Sequence, residues 1–147
     1  MSATPIQIKP VKFQAQKVVI GDPDDIDIGE RDLSLRVVCQ KLSDNSVAII
    51  FNIKLKVEDI SLQVLYAVDF EVACETDTKF VVSDETIEHP FMNVNAPAIG
   101  YPFVRAYIGT LLLNSGYKPF MLPPVNFQAL YTKKKALKID KNADAEE

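Results

Sequence analysis

The chain has 147 residues, 48% of them hydrophobic and 24% charged, with a formal net charge of −4. That length suits one compact domain, and the acid excess argues against a general nucleic-acid binder, which needs basic surface to neutralise phosphates. No run approaches the roughly 20 apolar residues that span a bilayer. The first ten residues lack the basic flank and apolar core of a signal peptide, so a cytoplasmic protein with no membrane insertion is expected.

The first two-thirds read as β. In Val11 to Ile20, Val11, Phe13 and Ala15 share a face, and the phase slips near Lys17, which predicts a bulge or bend. Gly21 to Asp32 is an acidic connection. Pro23 and Ile26 stand where a calcium loop needs oxygen ligands, so a solvated loop is expected instead. Three strands follow. Leu33, Leu35, Val37 and Cys39 alternate with Ser34, Arg36, Val38 and Gln40, Ser43-Asp44-Asn45 supplies a turn, and Val47 to Val57 and Leu62 to Val72 alternate over long stretches. Period-two alternation means a sheet with one buried face, and links this short mean antiparallel neighbours. Lys79 to Val82 reads as a possible short extra strand within a long crossover from Glu75 to Asn95, where Pro90 blocks a continuous helix.

The remainder reads as helical. Pro97 suits a first helical turn, and Ile99, Phe103, Ala106, Tyr107, Thr110, Leu111 and Leu113 recur at helical spacing. Gly116 suits the residue just past the helix end, while Pro102 implies a kink or a later start. A proline-rich loop, Tyr117 to Pro124, leads to a second helix over about Val125 to Ile139 with a stripe of Phe127, Leu130, Tyr131 and Leu137. The expected class is α+β: a four-stranded antiparallel sheet, a crossover, one long helix and a C-terminal helix. Residues 1–141 form a single domain, and the acidic tail, residues 142–147, is expected to be disordered.

Catalytic machinery is not legible. The single histidine, His89, leaves no Ser-His-Asp set, and there is no glycine-rich phosphate loop. Cys39 and Cys74 have neither CxxC spacing nor a histidine cluster, so free thiols are expected, with no metal and no cofactor. Aromatic and methionine side chains surround the prolines of the 117–124 loop. Methionine adapts to irregular apolar shapes, and exposed apolar patches mark interaction surfaces.

The segment Asn95 to Tyr131 resembles the C-terminal half of SecB export chaperones. The resemblance is carried by Tyr101-Pro102-Phe103 with Arg105, by Gly116, and above all by Leu122-Pro123-Pro124-Val125-Asn126-Phe127 followed by Ala129-Leu130-Tyr131. It implies an ATP-independent holdase that keeps unfolded preproteins translocation-competent. It also implies a homo-oligomer, a dimer of dimers, paired through sheet edges and long helices. Phe80, Val82, Phe91, Met92, Tyr117, Phe120, Met121 and Phe127 occupy the places of the family's client groove. The family's partnership with the SecA motor uses acidic positions on the sheet surface, one of which aligns with Gln63. A dedicated chaperone of a toxin–antitoxin pair, with an antitoxin as its partner, and a small apolar ligand-binding module stand as alternatives.

Overall fold

Side-chain alternation produces four strands: β1 (Ile6–Gly21), β2 (Leu33–Ser43), β3 (Ser46–Val57) and β4 (Ile60–Cys74). They pair antiparallel in the order β1-β4-β3-β2. This is a computed structural model, and it describes residues 6–135. The two most apolar strands therefore lie in the centre. On one face Val47, Ile49, Phe51 and Leu55 of β3 and Leu62, Val64, Val68 and Phe70 of β4 are fully buried. β1 starts at Ile6, earlier than its alternation suggested, and its register shifts at Ala15/Lys17, where the phase slip predicted a bulge, and again at Pro10/Lys12.

The two hairpins explain the antiparallel order. Between β2 and β3, the Ser43 hydroxyl donates to the Asn45 side-chain oxygen at 2.8 Å and pairs with the Ser46 hydroxyl at 2.6 Å, so short polar groups fold the turn as expected. Between β3 and β4, Glu58 adopts a φ of 54°, the left-handed geometry that lets two residues reverse the chain. The acidic β1–β2 connection is pinned from within. Ile28 is buried, the Asp25 carboxylate accepts the Asp22 N–H at 2.9 Å, and the Asp27 carboxylate accepts the Gly29 N–H at 3.2 Å.

The crossover holds no strand at Lys79–Val82. Val82 is buried, and its N–H donates to the Asp44 carbonyl at the β2–β3 turn. A short helix, α1 (Asp84–Glu88), is capped by Ser83, whose hydroxyl accepts the Thr86 N–H. His89 ends it in extended geometry ahead of Pro90. A π-helical turn, Phe91–Asn95, then runs directly into α2 (Ala96–Asn114). The helix thus begins before Pro97 and continues through Pro102. Proline at 102 removes the bond to the Ala98 carbonyl, and both residues face solvent, where water can take that carbonyl. Gly116, at φ 90°, closes α2: the Tyr117 N–H reaches the Leu112 carbonyl and the Gly116 N–H the Leu113 carbonyl.

α2 lies against the buried sheet face with only part of its apolar surface. Tyr101, Val104, Ile108 and Leu112 are buried, whereas Ile99, Phe103, Ala106, Thr110 and Leu113 are exposed; Tyr107 and Leu111 lie between. Both sides of the helix are apolar, so spacing alone did not say which one meets the sheet. The last helix, α3, begins at 127, two residues later than expected, and runs to 135 within the described residues. Its expected end at 139, Leu137, the domain limit at 141 and the acidic tail lie outside them.

Candidate functional site

The loop between α2 and α3 is held by the very residues of the tyrosine–arginine motif. The Tyr101 hydroxyl donates to the Pro123 carbonyl at 2.6 Å, and Arg105 Nε donates to the Leu122 carbonyl at 2.9 Å. Two consecutive prolines cannot offer N–H groups to a sheet or helix, so carbonyl contacts of this kind fix the segment. Burial pushes the Tyr101 phenol above its usual pKa of 10, an effect partly opposed by the Arg105 charge, which keeps it a donor. Asn126 then starts α3 as its N-cap. Its side-chain oxygen accepts the Ala129 N–H at 3.0 Å, and its carbonyl accepts the Leu130 N–H at 3.1 Å. Phe127 inserts edge-on between Phe51 of β3 and Tyr101 of α2, at centroid distances of 6.5 and 5.4 Å. The far end of α3 is tied to the crossover, where the Tyr131 hydroxyl donates to the Glu88 carbonyl at 3.0 Å.

This places α3 alongside β2, one of the two edge strands of the sheet. The inward-facing residues of β2, Leu33, Leu35, Val37 and Cys39, are only half covered, unlike their fully buried partners on β3. Two depressions lie between β2 and α3. One, of about 440 Å³, is open and walled by Leu33, Leu35, Val125, Ala129 and Leu130, with Lys133 at its rim. The other, of about 260 Å³, is deeper and is walled by Cys39, Ile87, Asn93 and Tyr131, with Lys134 at its mouth. Together they form a mostly apolar trough beside a free strand edge, with lysines along one lip. Such a trough can take extended polypeptide in two ways: backbone pairing at the edge and apolar side chains in the depressions.

The residues singled out in the sequence divide into three groups. Val82, Met92 and Phe127 are buried in the core, at 1%, 0% and 6% exposure. Phe80, Phe91, Tyr117 and Phe120 are half-buried and pack on the margin of that core. Met121 projects from the pinned loop at 76% exposure. The trough residues of β2 and α3 were not singled out. Their alternation and stripe were read, but nothing in the sequence said that β2 would be an edge strand.

Among the described residues no group of three or more His, Cys, Asp or Glu is placed to hold a metal, and no helix is long and apolar enough to cross a membrane. His89 is used locally, its Nδ1 accepting the Phe91 N–H at 3.0 Å. Both cysteines are free. Burial raises the Cys39 thiol from 9.0 to about 11, with Lys134 opposing the shift. The thiolate is the nucleophile, so Cys39 is expected to alkylate slowly in the native protein at neutral pH and rapidly after denaturation, as measured by iodoacetamide labelling. The sign of its stability effect follows from the raised value. The contribution is complete below pH 9.0 and is lost as pH climbs through about 11. The raised phenols of Tyr66 and Tyr101 act in the same direction.

A four-stranded antiparallel sheet covered on one face by a long helix, with a pinned proline loop and an apolar trough beside a free edge, defines the α+β class. The chain belongs to the SecB family: residues 27–138 match the family described as preprotein translocase subunit SecB. It is 31% identical to the protein-export protein SecB of Rickettsia rickettsii (strain Iowa) over 105 residues, covering 70% of this chain and 66% of the relative. The protein of the same name from Rickettsia typhi (strain ATCC VR-144 / Wilmington) is 30% identical over the same coverage. The chain thus spans just under two thirds of the length of these relatives. A Mycobacterium tuberculosis SecB-like chaperone, solved in complex with a ChAD peptide from the HigA1 antitoxin, shares the fold. Its TM-score is 0.61 at 10% identity, covering 80% of this chain and 87% of that one.

Proposed function

We propose that this protein is a holdase: a cytoplasmic chaperone, not an enzyme, that binds non-native polypeptide without nucleotide and keeps preproteins competent for export. The observation that carries the proposal is the half-covered apolar row of β2 opposite α3, an edge and a trough on the same strand. Extended clients add backbone to the edge and drop apolar side chains beneath α3. Shape-tolerant contacts of this kind give low sequence specificity. Of the groove residues named from the sequence, Phe80, Phe91, Tyr117, Phe120 and Met121 extend this surface from the crossover and the loop, while Val82, Met92 and Phe127 act from beneath as its support.

The outward side of α2 supports a homo-oligomer, with a dimer of dimers as the expected form. Ile99, Phe103 and Leu113 are exposed at 39%, 46% and 60%, and Phe103 stacks on Phe13 of β1 at 4.4 Å, extending the patch onto the sheet edge. Continuous apolar surface of this kind is ordinarily covered by a partner. The dedicated antitoxin chaperone is the second reading. It is favoured by the antitoxin peptide in the structural neighbour, which binds that protein.

The test is binding of a labelled, reduced, unfolded polypeptide and of its native form, with and without ATP. Submicromolar, nucleotide-independent binding to the unfolded form alone is the expected result, and equal binding to both forms would sink the proposal. Tight binding of one small apolar compound by a monomer would move the protein to the ligand-binding class. Phe120→Ser combined with Met121→Ser is expected to weaken client binding by about tenfold without shifting the melting temperature by more than a few degrees. Unchanged affinity would remove the loop from the client surface.

A further inference from the structure

The sheet face turned away from α2 has a charge character opposite to that of the whole chain. Strand pairing fixes which residues share it. One row across the sheet reads Lys17, Leu65, Asn52 and Arg36 from β1 to β2. The next row reads Val19, Gln63, Lys54 and Ser34, and two rows toward the other end place Lys12 beside Asp69 and Lys9 beside Glu71. The face thus carries Lys9, Lys12, Lys17, Arg36 and Lys54 against Asp69 and Glu71, while the chain as a whole is at −4. Lys56 stands apart, beside Asp32 at the acidic end. Among the described residues none of these cations makes an ion pair; the pair found is Lys41–Asp44, at the β2–β3 turn.

The middle of the face is apolar and incompletely satisfied. Leu65 and Ile50 are half-buried and Val19 is 42% exposed. The side-chain oxygen of Asn52, in the row between Leu65 and Arg36, is out of contact with solvent and has no hydrogen-bond partner. Lys17 and Arg36 stand at the two ends of this row, three strand spacings or about 15 Å apart. Asp25 and Asp27 of the acidic β1–β2 connection each accept an N–H of its own backbone, and among the described residues no carboxylate of that connection forms an ion pair with the face's cations.

We infer that this outer sheet face docks an acidic polypeptide segment of a partner protein, with carboxylates meeting Lys17, Arg36 and Lys54 and apolar side chains seated on Leu65, Ile50 and Val19. Charge complementarity selects the acid. The apolar centre selects polypeptide over a phosphate backbone, and the acidic connection at one end of the face repels a long polyanion. Gln63, where the SecA partnership would call for an acid, sits in the Lys54 row, so the face is built for the opposite charge. The docking surface lies on the opposite sheet face from the inward-facing trough residues Leu33, Leu35 and Cys39, and the two surfaces meet at the β2 edge, where Val38 lines the smaller depression.

The experiment measures fluorescence anisotropy of two labelled peptides with the same apolar residues, one bearing Asp and Glu and the other Lys, against the full chain at low and physiological salt. A single-stranded oligonucleotide and vesicles containing phosphatidylglycerol serve as further probes. The acidic peptide is expected to bind about tenfold or more tightly than the basic one. That preference should disappear in Lys17→Glu with Lys54→Glu, while unfolded-client binding stays intact. If the reversed variant misfolds, Lys17→Gln with Lys54→Gln carries the same test. Equal binding of the two peptides, or a preference that survives the substitutions, overturns the inference. So does loss of client binding in the same variants. Tighter, charge-sensitive binding of the oligonucleotide or the vesicles overturns it in favour of those partners.

Discussion

Gly100→Leu is expected to cost this protein its helix–sheet packing, lowering stability by about 1–3 kcal/mol or more. Gly100 sits at the closest approach of α2 to the sheet. A β-carbon there would already meet Phe51 Cε2 and Val68 Cγ2 at 3.2 Å. Both neighbours are completely buried, so neither ring nor methyl has free space to move into, and three further carbons must lift the helix. Lifting it loosens Tyr101, Val104, Ile108 and Leu112 together. It also strains the Tyr101 and Arg105 bonds that pin the 117–124 loop. The substitution should therefore lower the urea midpoint and weaken client binding in parallel. Gly100→Ala is the informative control: alanine favours helix by about 1 kcal/mol and needs only a few tenths of an ångström of give, so it should lie near wild type. A Gly100→Leu protein that unfolds at the wild-type midpoint would show that α2 does not seat on Phe51 and Val68.

Ile99→Asp with Phe103→Asp should break the proposed oligomer without unfolding the protomer. Ile99 and Phe103 are 39% and 46% exposed, with one side of Phe103 resting on Phe13 of β1, and each loses roughly 1.5–3 kcal/mol of burial in an interface. In a two-fold contact every substitution counts twice. The expected result is a shift to protomers or dimers by sedimentation, with the dissociation constant raised by about a hundredfold or more and an almost unchanged melting temperature at high protein concentration. A wild-type protein that sediments as a monomer, or a double variant with the wild-type mass, would refute the oligomer.

Much of this fold was legible because β3 and β4 alternate so regularly that only one sheet face can be buried. The slip near Lys17 surfaced as a register shift at Ala15/Lys17, and Gly116 proved to be the left-handed residue that closes α2. What stayed open has common physical roots. α2 is apolar on two sides, so the helical spacing of Ile99, Phe103 and Leu113 did not say which side meets the sheet, whereas a glycine between larger residues was the better sign of the buried side. Val82, Met92 and Phe127 were named because they occupy the places of the family's groove, and their burial puts them beneath that surface: a crossover that spans an open sheet face must also supply plugs for it. The trough was missed because strand order is a long-range property. The pattern of β2 matches that of any half-buried strand, and only the pairing β1-β4-β3-β2 leaves it at the margin.

The two outer strands differ in a way that bears on how such a protein avoids catching itself. β1 is broken twice, at Pro10/Lys12 and Ala15/Lys17, and Pro10 supplies no N–H. β2 runs in unbroken register from Leu33 to Lys41. Bulges and proline spoil a strand edge as a template for another chain. Sheet growth from copy to copy needs two competent edges on every molecule, and here one is irregular. Head-to-tail stacking is thus frustrated at each step, while a foreign extended chain needs only the regular edge. The asymmetry separates capture of others from self-polymerisation, a distinction that matters most when unfolded chains are abundant.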